Sequence, residues 1–182
     1  MKRQFRLTLS RRVAFALCFV LATPALGAEL ANSTAATPKA AAAAKALTGT
    51  WEIVRYESRK PDGSVELLFG PHPKGYFIYD PTGHLSVQFM RTPPTPNFAA
   101  GDDKGTDTEV RGAYDGYFGY FGTWRITDDA TAVIHVVEGS LKPSYTGTDQ
   151  PRPFTLNGDT LIIRPTPTKD GTTYYRELHR VR

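Results

Sequence analysis

The chain has 182 residues, with 22 lysines and arginines against 18 aspartates and glutamates, and one cysteine, Cys18. That length points to one domain. Five of the basic residues fall within the first twelve positions, and without them 17 basic residues face 18 acidic ones, a net charge of −1; this removes the basic footprint that a nucleic-acid partner requires.

Residues 1–12 carry Lys2, Arg3, Arg6, Arg11 and Arg12 and no acid. Residues 13–21 are an apolar run, and residues 22–28 are small and broken by Pro24. A basic segment, a short apolar segment and a small-residue exit predict a secretory signal over 1–28, cut after Gly27 or Ala28. The apolar run is far shorter than the ~20 residues a membrane helix needs. The expected destination is the periplasm or the exterior, with no transmembrane span after cleavage. Loss of Cys18 with the leader leaves an oxidising compartment no disulfide to form, so the domain must stand on its core alone. Residues 29–46, rich in Ala, Thr, Ser and Pro with no amphipathic stripe, read as a flexible tether.

From Leu47 onward short strands alternate with turn signals. Strands are predicted over 50–59, 65–69, 75–80, 84–91, 119–127, 131–139, 153–156, 159–164 and 172–181. They are separated by Pro61-Asp62-Gly63, Pro81-Thr82-Gly83, Asp128-Asp129, Asn157-Gly158 and Lys169-Asp170-Gly171. Asn-Gly is the strongest short hairpin signal. Eight or nine antiparallel strands predict an all-β closed barrel. One segment departs from the pattern. Thr106 with Glu109 three residues on is a capping box, and Val110, Ala113, Tyr114 and Tyr117 follow at helical spacing. A single short helix over 107–117 is expected, either across the barrel mouth or over an outer face.

Three stretches carry a family resemblance. Leu47-Thr48-Gly49-Thr50-Trp51 contains the G-x-W that opens lipocalin-type barrels. Gly75-Tyr76-Phe77-Ile78-Tyr79-Asp80 with Gly83-His84-Leu85-Ser86-Val87-Gln88 resembles the central hairpin of the bacterial and fungal lipocalin-like domain family. The stretch from Tyr114 to Thr123, and His135 to Ser140 with Gln150 and Arg152, continue it. The resemblance covers about 47–181. It implies a small β-barrel with an internal cavity and no single activity, so it brings over no catalytic residue. It also implies that Trp51 closes the barrel floor under an arginine of the last strand, for which Arg180 is the match.

Alternation along strands sorts side chains onto faces. Around Asn157-Gly158, pairing Leu156 with Asp159 and Phe154 with Leu161 places Phe154, Leu156, Leu161 and Ile163 on one apolar face. Arg152 lies at its end and points the same way. A lumen arginine needs an acid, carbonyls or an anionic ligand; a rim ion pair with Glu138 is the plain alternative to ligand contact. Around Asp128-Asp129, Trp124 opposes His135 if the loop spans 128–131, which places both inside. His135 could then move a proton near neutral pH, although a lone inward histidine is more often a hydrogen-bonded core residue. The hairpin of 75–88 leaves two faces open. Phe77, Tyr79, His84, Ser86 and Gln88 would line a wet lumen, and Tyr76, Ile78, Leu85, Val87 and Phe89 a dry one; the resemblance favours the first. The aromatic run Tyr114 to Phe121, with Tyr117, reads as the inner lining of a cap.

The candidate ligand-binding residues are therefore Arg152, His135, Gln88, Tyr79, Trp124 and Tyr117. No G-x-S-x-G elbow or P-loop occurs. The four histidines lack metal-ligand spacing, so neither metal nor cofactor is expected. The leading expectation is an exported protein holding a small hydrophobic or amphipathic molecule, for which one lumen arginine suits an acidic head. The alternatives are a cofactor-free isomerase, cyclase or dehydratase using His135, Glu138 or a tyrosine, and an envelope protein with a filled core and no ligand.

Overall fold

The computed structural model describes residues 36–182. The predicted leader over 1–28 and the first part of the tether lie outside the described residues.

The rest of the expected tether is corrected. Pro38–Leu47 forms helix α1, and it buries Ala40 and Leu47. Thr37 caps it, accepting from Ala40 N at 3.1 Å, and Pro38 stands at the first helical position. A proline there loses no hydrogen bond, and alanine is the best helix former. Packing of Leu47 against the barrel supplies what the missing amphipathic stripe does not.

The strands are β1 (Gly49–Arg59), β2 (Val65–Glu66), β3 (Lys74–Tyr79), β4 (His84–Met90), β5 (Tyr117–Ile126), β6 (Ala132–Ser140), β7 (Asp149–Asn157), β8 (Thr160–Ile163) and β9 (Thr173–Arg180). Each of β3 to β9 pairs antiparallel with its neighbour, β1 pairs with β3, and β9 closes back on β1. The result is a closed eight-stranded barrel, with β2 added along the outer end of β1. Helix α2 (Asp107–Gly116) precedes β5, and its Thr106–Glu109 capping box is formed in both directions. Among the described residues two α-helices and a 3-10 turn, Pro143–Tyr145, are thus present where one helix was expected. None of the described helices is long and apolar enough to cross a membrane.

One end of the barrel is filled. Trp51 is fully buried, its indole Nε1 donates to Leu47 O at 2.8 Å, and the Arg180 guanidinium lies 4.1 Å above its ring. Arg180 also donates to Thr48 O and Ala46 O. Gly49 makes room for this: at φ +135 it adopts a conformation side chains disfavour, and a Cβ there would stand 2.8 Å from Arg180 Nη1. Ile53, Phe77, Leu85, Val133, Leu161 and Leu178 pack beneath.

A register irregularity between Ile53 and Arg55 divides β1. Before it Trp51 and Ile53 are buried; after it Tyr56 and Ser58 are, and so is Glu57 between them, covered by its ion pairs with Arg55 and Arg59. One extra residue reverses the alternation and turns Tyr56 into the upper barrel. Two expected registers also change. Tyr79 pairs with Leu85 across the turn, whereas the expected face had grouped Tyr79 with His84. That one-residue slip buries Phe77 and Tyr79 together with Leu85, Val87 and Phe89, and turns His84, Ser86 and Gln88 outward. At Asn157-Gly158 the pairing is Leu156 with Leu161, two residues from the expected register. A two-residue slip preserves the faces, so Arg152 still points inward. The strand expected over 65–69 ends at Glu66, where Leu67 to Gly70 turns instead.

Candidate functional site

The other end of the barrel is open. A cavity of about 770 Å³ is bordered by Tyr56 of β1, Phe69, Phe118 of β5, Tyr145, Tyr174 of β9 and, among its charged residues, Arg152 of β7 and Arg176 of β9. That volume suits a small organic ligand. Helix α2 stands at the mouth, where its Asp115 borders the cavity and Gly116 O accepts from Arg91 N at 2.8 Å. Lys142 Nζ lies 3.9 Å from the centre of the Tyr114 ring, which ties α2 to the loop after β6. Of the two places foreseen for the helix, the structure gives the mouth.

The two arginines define the site's electrostatics. Arg152 is 4 % and Arg176 3 % exposed. Among the described residues neither pairs with a carboxylate, and the expected partner Glu138 does not reach Arg152. Arg152 donates to Pro151 O and Gln150 Oε1, both at 3.1 Å. Three buried donors, Arg152 Nε and Arg176 Nε and Nη1, have no acceptor. The guanidiniums otherwise face aromatic rings, Arg176 over Tyr56 at 5.3 Å and Arg152 over Tyr145 at 5.9 Å. Removing an ion from water costs several kcal/mol even after relaxation, whereas a cation–π contact returns ~0.5–2 kcal/mol. Two such cations lining one cavity call for an anion.

Behind them lies a hydrogen-bonded triad. His135 is fully buried, with Tyr79 Oη 2.9 Å from Nε2 and Tyr120 Oη 2.6 Å from Nδ1. Burial, and then the charges of Arg152 and Arg176, hold the His135 pKa well below the ordinary 6.5, so the ring is neutral. Burial likewise raises Tyr79 well above the usual phenol value and raises Tyr120, so both stay protonated. None of the three borders the cavity.

The structure thus brings Arg152, His135 and Tyr79 together. Trp124 opposes His135 as expected, but it packs edge-on against Tyr79 at 5.3 Å and donates to Asp80 O at 3.1 Å, away from the cavity. Gln88 and Tyr117 are corrected. Both lie on the outer face, where the Tyr117 hydroxyl donates to Gln88 Oε1 at 2.9 Å. Strand alternation through Tyr117, Phe118 and Tyr120 points the latter two inward instead. Among the described residues no group of three or more His, Cys, Asp or Glu could hold a metal ion.

Arg176 escaped the sequence reading, although a signal for it existed. Once Arg180 is set over Trp51, alternation puts Leu178 and Arg176 on the same inner face. Tyr56 had no comparable signal, because the irregularity in β1 reverses its face.

The profile of the lipocalin-like domain family matches residues 48–176. Among solved structures, the chain is similar to a crystal structure of a mutant of the fluorescent protein UnaG, with 13% identity and a TM-score of 0.34 over 74% of this chain and 96% of that one. No curated protein matches the sequence.

Proposed function

We propose that this chain, which belongs to the lipocalin-like domain family, holds a small amphipathic molecule with an anionic head, set against Arg152 and Arg176, and an apolar body directed to the mouth. The fold by itself suggests small-molecule binding. The observation that carries the finer reading is the pair of buried guanidiniums with three unaccepted donors at the inner wall of an open cavity. An anionic head supplies the missing charge and acceptors together, and Tyr56, Phe69, Phe118, Tyr145 and Tyr174 offer an aromatic sleeve to the body. The same proposal places the protein in the periplasm or outside the cell, on the support of the basic and then apolar leader over 1–28.

A thermal-shift screen of decanoate, 1-naphthoate and abietate tests it. An acid at 100 times its dissociation constant stabilises the fold by ~2.7 kcal/mol, or roughly 5–11 °C for a domain of this size. Arg152→Met should remove the shift and leave the fold. Absence of any shift with all three acids, or an undiminished shift in Arg152→Met, contradicts the proposal.

A further inference from the structure

The cavity has more positive charge than one anionic head requires. Besides the buried Arg152 and Arg176 it is bordered by Arg91, Lys142 and one acid, Asp115. Asp115 is already engaged, because its carboxylate accepts from Arg111 Nε at 2.7 Å, one turn back along α2. Among the described residues no carboxylate pairs with Arg91 or Lys142. The excess is local, since the chain without its first twelve residues carries a net charge of −1.

The four cations differ in depth. Arg152 and Arg176 are buried, whereas Arg91 is exposed and Lys142 half-buried. Both outer cations are seated on the last turn of α2. The Arg91 stem lies against Gly116, where a Cβ would stand 2.8 Å from Arg91 Cδ, and Lys142 Nζ lies 3.9 Å from the centre of the Tyr114 ring. The C-terminal end of a helix attracts cations, but it amounts to only about half a negative charge. Two whole positive charges exceed it, so the helix end accounts for part of this pair and not for all of it. Leu68, Phe69, Phe118 and Tyr174 give the same cavity apolar wall.

We infer that the ligand carries a second anionic group at the far end of its apolar body, received at the mouth by Arg91 and Lys142, so that the site takes a dianion of the α,ω-dicarboxylate type. This rests on the anion reading above and names the class of ligand. A single head at Arg152 and Arg176 leaves the mouth pair unanswered, and an apolar tail ending there meets two charges to which it offers nothing. A second carboxylate answers both. The inner contact is shielded from water and the outer one is not, so the outer charge adds a modest, salt-sensitive gain.

Calorimetric titration of octanedioate, decanedioate and dodecanedioate, each beside its monomethyl ester, tests the inference. The ester keeps the body and one carboxylate and loses the second charge. At low salt at least one diacid should bind about five- to tenfold more tightly than its ester, beyond the statistical gain of having two equivalent ends, and added salt should shrink the difference. Replacing both outer cations, Arg91→Met with Lys142→Met, should remove the advantage and leave the esters' affinity unchanged, with a melting curve confirming the fold. If the esters bind and no diacid exceeds its ester, or if the advantage persists in the folded double variant, the second anion contact is refuted and the single-head reading stands. If neither the esters nor the diacids nor decanoate bind, both fall.

Discussion

Arg180 and Arg176 leave the same strand four residues apart, on the same inner face, and each lies over an aromatic ring. Their circumstances are otherwise opposite. Arg180, at the closed end, covers Trp51 at 4.1 Å, donates to two carbonyls of the α1 end and stands 3.6 Å from Asp159. Arg176, at the open end, covers Tyr56 at 5.3 Å and has two nitrogens with no acceptor. The first is a fastening, with its charge and donors met within the chain. The second is left short, and in a buried setting that shortfall makes sense only if something from outside the chain completes it. The barrel is thus divided into an end that holds it shut and an end that receives.

The division can be broken first at the closed end. Trp51→Ala should cost ~3–5 kcal/mol, a fall of roughly 6–20 °C in melting temperature by scanning calorimetry. A change under one degree would remove the closed end from the stability of the fold. The two arginines give the sharper contrast. Arg180→Met should destabilise by ~1–3 kcal/mol, because it removes the cation over buried Trp51 and the donor to the half-buried Thr48 carbonyl. Arg176→Met, which replaces an unpaired buried charge by an apolar chain of similar length, should leave stability unchanged or raise it by up to ~4 kcal/mol. Equal losses from the two substitutions would erase the distinction.

Between the ends, His135 links stability to acidity. Its folded pKa is depressed by burial and by the Arg152 and Arg176 charges, with Tyr79 and Tyr120 on its two nitrogens. Below pH 6.5 the unfolded chain takes a proton that the folded one refuses. The contribution is therefore complete above that pH and lost as pH falls toward the folded pKa, with a slope approaching ~1.4 kcal/mol per pH unit. Chemical denaturation of the parent and of His135→Asn across pH 4.5–7.5 checks it, and the acid loss should be smaller in the variant. The mildest effect belongs to α2 at the mouth: Thr106→Ala removes the cap and should cost ~1 kcal/mol, read by hydrogen exchange confined to 107–116 and not spread through the barrel.

How much of this the sequence disclosed follows from what it encodes locally. The capping box at Thr106 and Glu109 and the Gly49–Trp51 motif depend on neighbouring residues, and both the helix and the covered tryptophan stand where they were expected. The lumen position of Arg152 survived a register error because that error was two residues, an even shift. Gln88 did not, because Tyr79 pairs with Leu85, an odd, one-residue departure from the face expected to join Tyr79 to His84, Ser86 and Gln88. Helix α1 was missed because its stability comes from packing on the barrel end, and Tyr56 because an irregularity in a strand leaves no mark in alternation. The His135 triad joins residues 56 and 15 positions apart in the chain. Only the closed barrel brings them together.

The most direct test of the receiving end is calorimetric titration of decanoate and decanol into the parent protein, Arg152→Met and Arg176→Met, with melting curves confirming that all three are folded. The account predicts that the parent binds decanoate in preference to decanol, and that either substitution abolishes the preference without unfolding the domain. Equal affinity for acid and alcohol in the parent, or an undiminished preference in both variants, would contradict it.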